Sequence, residues 1–222
     1  MKRCVLPLLL PALLLLPLLV PPLLMPPLIL LAVPGVASGY AALTEGNGAA
    51  GGATSDLDAV MSLLAMRRHG RVEFIEQQFL AILDRPVESS GELRYDAPDR
   101  LEKRTRRPRS ESMVLAGGVL TVERAGRARV VDLQRYPQIL PFVESIRATL
   151  AGDRAALEKV FHVDFAGSVE RWSLNLVPLD QQLARTVKQV QIDGTEDQLQ
   201  RVEIRQADGD RSLMTLRAPA AP

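Results

Sequence analysis

Cysteine is nearly absent from this chain. Of 222 residues only Cys4 carries a thiol, and it lies so early that it would leave with an export signal. The remainder has no disulfide or thiolate chemistry available. Histidine is almost as scarce: His69 and His162 stand far apart and in no ligand spacing. A zinc site needs several His or Cys ligands, so no metal is expected. An excess of one charge is missing too. The formal net charge is +1, which leaves no electrostatic footprint for nucleic acid. Catalytic motifs are also lacking, with no G-x-S-x-G, no phosphate loop and no H-E-x-x-H. His162, between Phe161 and Val163, reads as a strand-edge or core histidine. Glu76, Asp84, Asp208 and Asp210 read as ordinary strand and turn positions. The expectation is a protein with no catalytic residues and no cofactor, not an enzyme.

What the chain does have begins with Met1-Lys2-Arg3 and a leucine-rich stretch over residues 4–33. That stretch is long enough to cross a bilayer, but seven prolines, from Pro7 to Pro27, interrupt it. Each costs roughly 3 kcal/mol in a helix interior. A secretory signal peptide over residues 1–41 therefore fits better than a membrane anchor, with small residues at Val36-Ala37-Ser38 or Gly39-Tyr40-Ala41 near the cut. Residues 42–54 are small and glycine-rich and read as a flexible linker. Residues 55–217 form the folded domain, and 218–222 a disordered tail.

The domain is organised around residues 91–132, a run of short strands joined by tight turns. Asp96-Ala97-Pro98-Asp99 turns the chain, and Gly117-Gly118 and Ala125-Gly126 separate apolar runs as hairpin signals. Strands this closely spaced leave no room for crossover helices, so the sheet is antiparallel. Before it, Ser55 caps a helix carrying Leu57, Val60, Met61 and Leu64 at helical spacing, which Arg67-Arg68-His69-Gly70 closes. Residues 71–83 read as a strand with Phe74 and Phe79, and residues 87–95 as the next, with Leu93 and Tyr95. After Asp132, Val143, Ile146 and Leu150 mark one helix, and Asp153 caps a shorter one. Strands then return: Trp172, Leu174 and Leu176 alternate with polar neighbours up to Pro178, Val190 and Ile192 precede a turn at Asp193-Gly194, and two more strands follow.

The predicted fold class is mainly β with helices (α+β): an incomplete antiparallel β-barrel or strongly curved sheet, covered by a helical lid. A sheet of six or more strands must close, pair or be covered, and the few helices leave room for a hydrophobic hollow. An acyl chain of about 16 carbons gains ~12 kcal/mol gross on burial there. The candidate lining is Leu57, Met61 and Leu64 on the first helix, Phe74, Phe79 and Leu93 on early strands, Val143 and Ile146 on the second helix, and Trp172, Leu174 and Leu176 on a late strand. Residues 100–109 are rich in basic side chains. They read as a solvated face or as a positive rim for a lipid headgroup or acidic partner, through Arg100, Arg104, Arg106 and Arg107. No aromatics interleave these charges as a single-strand binder requires.

The ordered set Phe74 to Phe79, Pro98-Asp99-Arg100, Gly117-Gly118, Leu150-Ala151-Gly152-Asp153 and Trp172-x-Leu174-x-Leu176-x-Pro178 resembles the periplasmic outer-membrane lipoprotein carrier (LolA-like) family. The resemblance covers residues 55–216. It implies an incomplete barrel with a lid, acylated lipid or lipoprotein cargo, an inner-membrane donor, an outer-membrane acceptor and a periplasmic monomer. The alternative it leaves open is a lipid-sensing or regulatory module of the same fold that contacts a membrane protein. The carriers hold an arginine just before the proline of the turn, tying the lid shut. That place is Ala97 here, which points to a divergent relative handling another lipid or acyl intermediate.

Overall fold

The computed structural model describes residues 50–136 and 140–219. The expected signal peptide, residues 42–49 of the expected linker, and 220–222 of the expected tail lie outside these. Helix α1 (Ala50–Met66) leads into strands β1 (His69–Phe79), β2 (Val87–Asp96), β3 (Arg100–Arg107), β4 (Glu111–Ala116), β5 (Val119–Arg124) and β6 (Arg127–Asp132). A 3-10 turn (Leu133–Arg135) and helices α2 (Leu140–Leu150) and α3 (Arg154–Glu158) follow. The chain then runs through β7 (Phe161–Ser168), β8 (Arg171–Pro178), α4 (Gln181–Ala184), β9 (Val187–Thr195), β10 (Gln198–Gln206) and β11 (Arg211–Arg217).

The strands form one 11-stranded sheet in the order β6-β5-β4-β3-β2-β1-β11-β10-β9-β8-β7. The first six strands meander outward from β1 and the last five meander back, so β11 pairs antiparallel with β1. β6 and β7 are the two edges, and the sheet does not close. Gly117 (φ 56°) and Gly118 (φ 73°) make the two-residue turn between β4 and β5 that their left-handed backbone permits.

Alternation gives the sheet one apolar face. Met113 and Leu115 of β4 join the same core cluster as Leu174 and Leu176 of β8. These strands stand seven steps apart in the order, about 34 Å if the sheet were flat. A helix is only about 10 Å across. One core can collect both ends only if the sheet curls, which makes the apolar face concave. Helix α1 lies in that hollow with Leu57, Val60, Met61 and Leu64 all buried. Each contributes roughly 1.5–3 kcal/mol by leaving water. Asp153 caps α3 as its sequence position predicts, accepting from the Ala156 amide at 2.9 Å.

Three local expectations are corrected. α1 begins at Ala50, so it takes in residues 50–54 of the segment read as linker, and Ser55 lies inside it rather than at its cap. His69-Gly70 does not close the helix but opens β1, because the ladder to β2 holds His69 opposite Asp96 and Gly70 opposite Tyr95. Asp193-Gly194 does not turn the chain either. β9 continues through it to Thr195, and Glu196 (φ 52°) makes the turn. Gly194 is there for space: a Cβ would come within 2.3 Å of Cζ2 of Trp172. The indole Nε1 of Trp172 donates to the Glu196 carbonyl at 2.9 Å, fixing the ring over the strand end.

Candidate functional site

Between the helices and the concave face lies a hollow of about 130 Å³. Leu64, Ile146 and Leu150 cover it from α1 and α2, over a floor that includes Leu93, Val202 and Leu216. Its apolar character follows from register. Leu93 faces Val72 and Lys103 across the ladders, Val202 faces Met214 and Ile192, and Leu216 faces Phe74. Residues opposite one another share a face. Tyr95 lies at one end of the hollow, its hydroxyl donating to the Pro98 carbonyl at 3.4 Å. Burial pushes its phenol above the ordinary range.

Arg67 and Arg94 also border the hollow, but one charge is fully buried in it. Lys103 lines the hollow and is 1% exposed, and its Nζ lies 2.7 Å from Oε2 of Glu76, also 1% exposed. The Ser89 and Ser212 hydroxyls donate to the same carboxylate at 3.1 and 3.0 Å. The ammonium also sits 4.8 Å from the Phe74 ring centroid. Glu76 is thus not the ordinary strand position its sequence context suggested. It is the anchor of a buried polar cluster joining β1, β2, β3 and β11.

The predicted lining residues separate into three places. Leu64, Leu93 and Ile146 line the hollow. Leu57, Met61, Val143, Trp172, Leu174 and Leu176 belong to the main core and do not line it. The reason is the curl: the β8 residues pack under the helices at the far end of the sheet. Phe74 packs with Met214 and Leu216 below Lys103. Phe79 lies at the end of β1, with the Arg211 guanidinium 4.1 Å from its ring centroid. Sequence reasoning missed Val72, Val202 and Leu216 as lining residues. Val202 and Leu216 were visible as strand residues, but only the pairing of β11 with β1 brings them over the hollow.

The predicted basic rim is corrected. Strand alternation places Arg100, Arg104 and Arg106 on the convex face, opposite the hollow, where buried carboxylates neutralise them. Arg100 bonds Glu102 at 3.4 Å, and Arg104 bonds Glu102 as well. Arg106 bonds Glu92 at 2.9 Å, with Arg71 at 2.7 Å and Arg94 at 2.5 Å on the same carboxylate. Arg107 is exposed at the strand end. Farther along this face Glu203 is held by Arg201 at 2.6 Å and Arg205 at 3.0 Å. Burial alone would raise the Glu92 and Glu203 carboxyls, but the arginine bonds outweigh it and hold both below the ordinary range. Nor does Arg100, committed to Glu102, replace the arginine missing at Ala97.

A second concavity, about 1500 Å³ and broadly open, runs along the β4–β6 edge. Among the described residues no group of His, Cys, Asp and Glu could hold a metal ion, and no helix is long and apolar enough to cross a membrane.

Residues 49–222 match a family model described as outer membrane lipoprotein carrier protein LolA-like. No curated protein sequence matches the chain. Among solved structures, the chain is similar to the LolA superfamily protein NE2245 from Nitrosomonas europaea, at 11% identity and a TM-score of 0.38, over 77% of this chain and 94% of that one. LprF from Mycobacterium bovis is similar at 13% identity and a TM-score of 0.32, over 78% and 94% of the two chains. A chain of the MucA/MucB complex from Pseudomonas aeruginosa matches at 13% identity and a TM-score of 0.41, over 74% and 59%.

Proposed function

Because the chain belongs to the outer membrane lipoprotein carrier protein LolA-like family, we propose that it binds the acyl chains of a lipid or lipoprotein between its helices and the concave sheet face, and shuttles that cargo through the periplasm toward the outer membrane. The observation that carries this reading is the aliphatic hollow between α1, α2 and the sheet. Among the described residues its lining contains no serine, cysteine or histidine, which favours holding a ligand over transforming one.

The hollow is small. At about 130 Å³ it compares with a cavity that holds one benzene, well under the roughly 300–1,000 Å³ of drug-sized sites. Cargo therefore enters by lifting α1 and α2 from the sheet. The energies match. Taking the four α1 anchors out of the core costs roughly 6–12 kcal/mol, and an acyl chain of about 16 carbons returns ~12 kcal/mol gross.

The test is mass spectrometry of lipids extracted from protein expressed from the full chain, paired with a Val202→Trp variant that fills the floor. A stoichiometric acylated species bound to the wild type and lost from the folded variant supports the carrier reading. Equal lipid on both proteins, or none on either together with no displacement of an apolar fluorescent probe, removes it in favour of a regulatory module with a protein partner.

A further inference from the structure

The concavity at the β4–β6 edge differs in kind from the hollow. Six arginines line it against three carboxylates. The ladders place Arg124 opposite Glu111, Arg127 opposite Arg124, and Arg129 opposite Val122. These arginines therefore extend from the same sheet face as the core residue Val122. On the convex face the arginines of β2, β3 and β10 rest on carboxylates. Here, among the described residues, no carboxylate lies within ion-pair reach of Arg127 or Arg129. Two free guanidinium groups, with Arg124 behind them, stand where the apolar concave face reaches its open edge.

A second, independent observation lies beside them. Glu111 lines this concavity and is 6% exposed, yet its Oε1 has no hydrogen-bond partner. Arg124 reaches only the other oxygen, at 3.8 Å. Across the β3–β4 ladder, Thr105 is equally buried and its hydroxyl is unpartnered too. A buried polar group left without a partner costs about 1–3 kcal/mol, so such a pair marks a place where a ligand supplies what the chain does not.

We propose that the β4–β6 edge is a headgroup site that takes a phosphate on Arg124, Arg127 and Arg129 and a neighbouring hydroxyl or ammonium donor on Glu111. This chemistry is that of a phospholipid headgroup such as phosphoglycerol or phosphoethanolamine. It rests on the carrier reading for the acyl chains and adds to it the class of cargo. An acidic peptide fits less well, because it brings carboxylates and no donor to a site with a buried carboxylate at its centre. Val122 and Val131, also in the lining, continue the apolar face inward and give the chains of the same lipid a path toward the core.

The experiment is calorimetric titration of the protein, expressed from the full chain, with dihexanoylphosphatidylglycerol, with dihexanoylglycerol and with glycerol 3-phosphate. The variants are an Arg127→Gln/Arg129→Gln double and Glu111→Gln. Charge-assisted hydrogen bonds predict that the phospholipid binds on the order of tenfold or more tighter than the diacylglycerol. The arginine double variant is expected to erase that difference and leave diacylglycerol binding unchanged. Glu111→Gln should weaken the phospholipid alone. Equal affinity for the two lipids overturns the headgroup site and leaves the acyl reading standing. Arginine-dependent binding of glycerol 3-phosphate without diacylglycerol binding supports the site and removes the acyl reading. An oligoglutamate that displaces the phospholipid and binds as tightly as it does overturns the lipid assignment in favour of an acidic peptide. Arg127 and Arg129 are exposed strand-edge residues, so the double variant keeps its fold.

Discussion

Replacing Lys103 by methionine tests whether the buried ion pair holds the floor of the hollow together. The substitution keeps the side chain's length and removes its charge. Glu76, 1% exposed, would retain only the Ser89 and Ser212 hydroxyls at 3.1 and 3.0 Å. Stripping one partner from a buried pair costs about 3–5 kcal/mol, because the surviving charge remains out of water. Loss of the ammonium over Phe74 adds about 0.5–2 kcal/mol. In a domain of this size 1 kcal/mol moves Tm by about 2–4 °C, so Lys103→Met should melt roughly 7–28 °C lower at neutral pH. The informative comparison is the double variant Lys103→Met/Glu76→Leu. With both charges gone and similar volume left behind, it should recover most of the loss. Differential scanning calorimetry of the wild type, both single variants and the double closes the cycle. A Lys103→Met protein within about 1 kcal/mol of wild type would refute the reasoning, as would a double variant whose loss equals the sum of the singles.

Gly194→Ala should destabilise the protein by several kcal/mol, since the new Cβ meets the Trp172 ring at 2.3 Å; urea unfolding followed by tryptophan fluorescence reads it, and a loss under about 1 kcal/mol would place the ring elsewhere. Burial raises the Glu111 carboxyl, with Arg124 and Lys103 only partly offsetting it. A raised carboxyl contributes stability below its unfolded pKa that is lost as pH rises, so Glu111→Gln should gain stability relative to wild type as pH rises from acid to neutral, read by thermal melts across that range. Glu203 has the opposite sign: its depressed carboxyl contributes stability above the unfolded value near 4.5 that is lost as pH falls. Glu203→Gln should therefore be less stable at neutral pH, with the gap closing in acid melts. Asp153→Ala removes the cap of α3 and should cost about 0.5–2 kcal/mol in thermal unfolding.

The hairpins were legible because their signals are local. Gly117-Gly118 and Asp208-Gly209 lie at turns between strands whose alternation is plain in the residues. The cap at Asp153 reads for the same reason. Asp193-Gly194 misled because glycine serves two purposes, and only the position of Trp172 tells space from turning. The candidate site was half legible. Leu64, Leu93 and Ile146 follow from period and helix face, but the β8 residues do not, because their distance from the hollow depends on how far the sheet curls. The basic strand misled for a simpler reason. Its arginines share a face with Glu102 and alternate with Leu101, Lys103 and Thr105, and the partner of Lys103 lies on another strand at Glu76. Periodicity assigns faces to residues, while charge partners across ladders appear only once the register is known.

The seam between β1 and β11 joins the first strand of the sheet to the last. A chain that emerges from its N-terminus can finish two separate meanders, but it cannot unite them until Arg217 is available. Up to that moment Phe74 lies on an open strand edge, and the floor of the hollow is not assembled. Closing a loop of this length is slow compared with forming hairpins. The nascent protein therefore spends its longest wait with the apolar floor bare. It needs shelter in that interval, and a version cut short before Arg211 would remain in it.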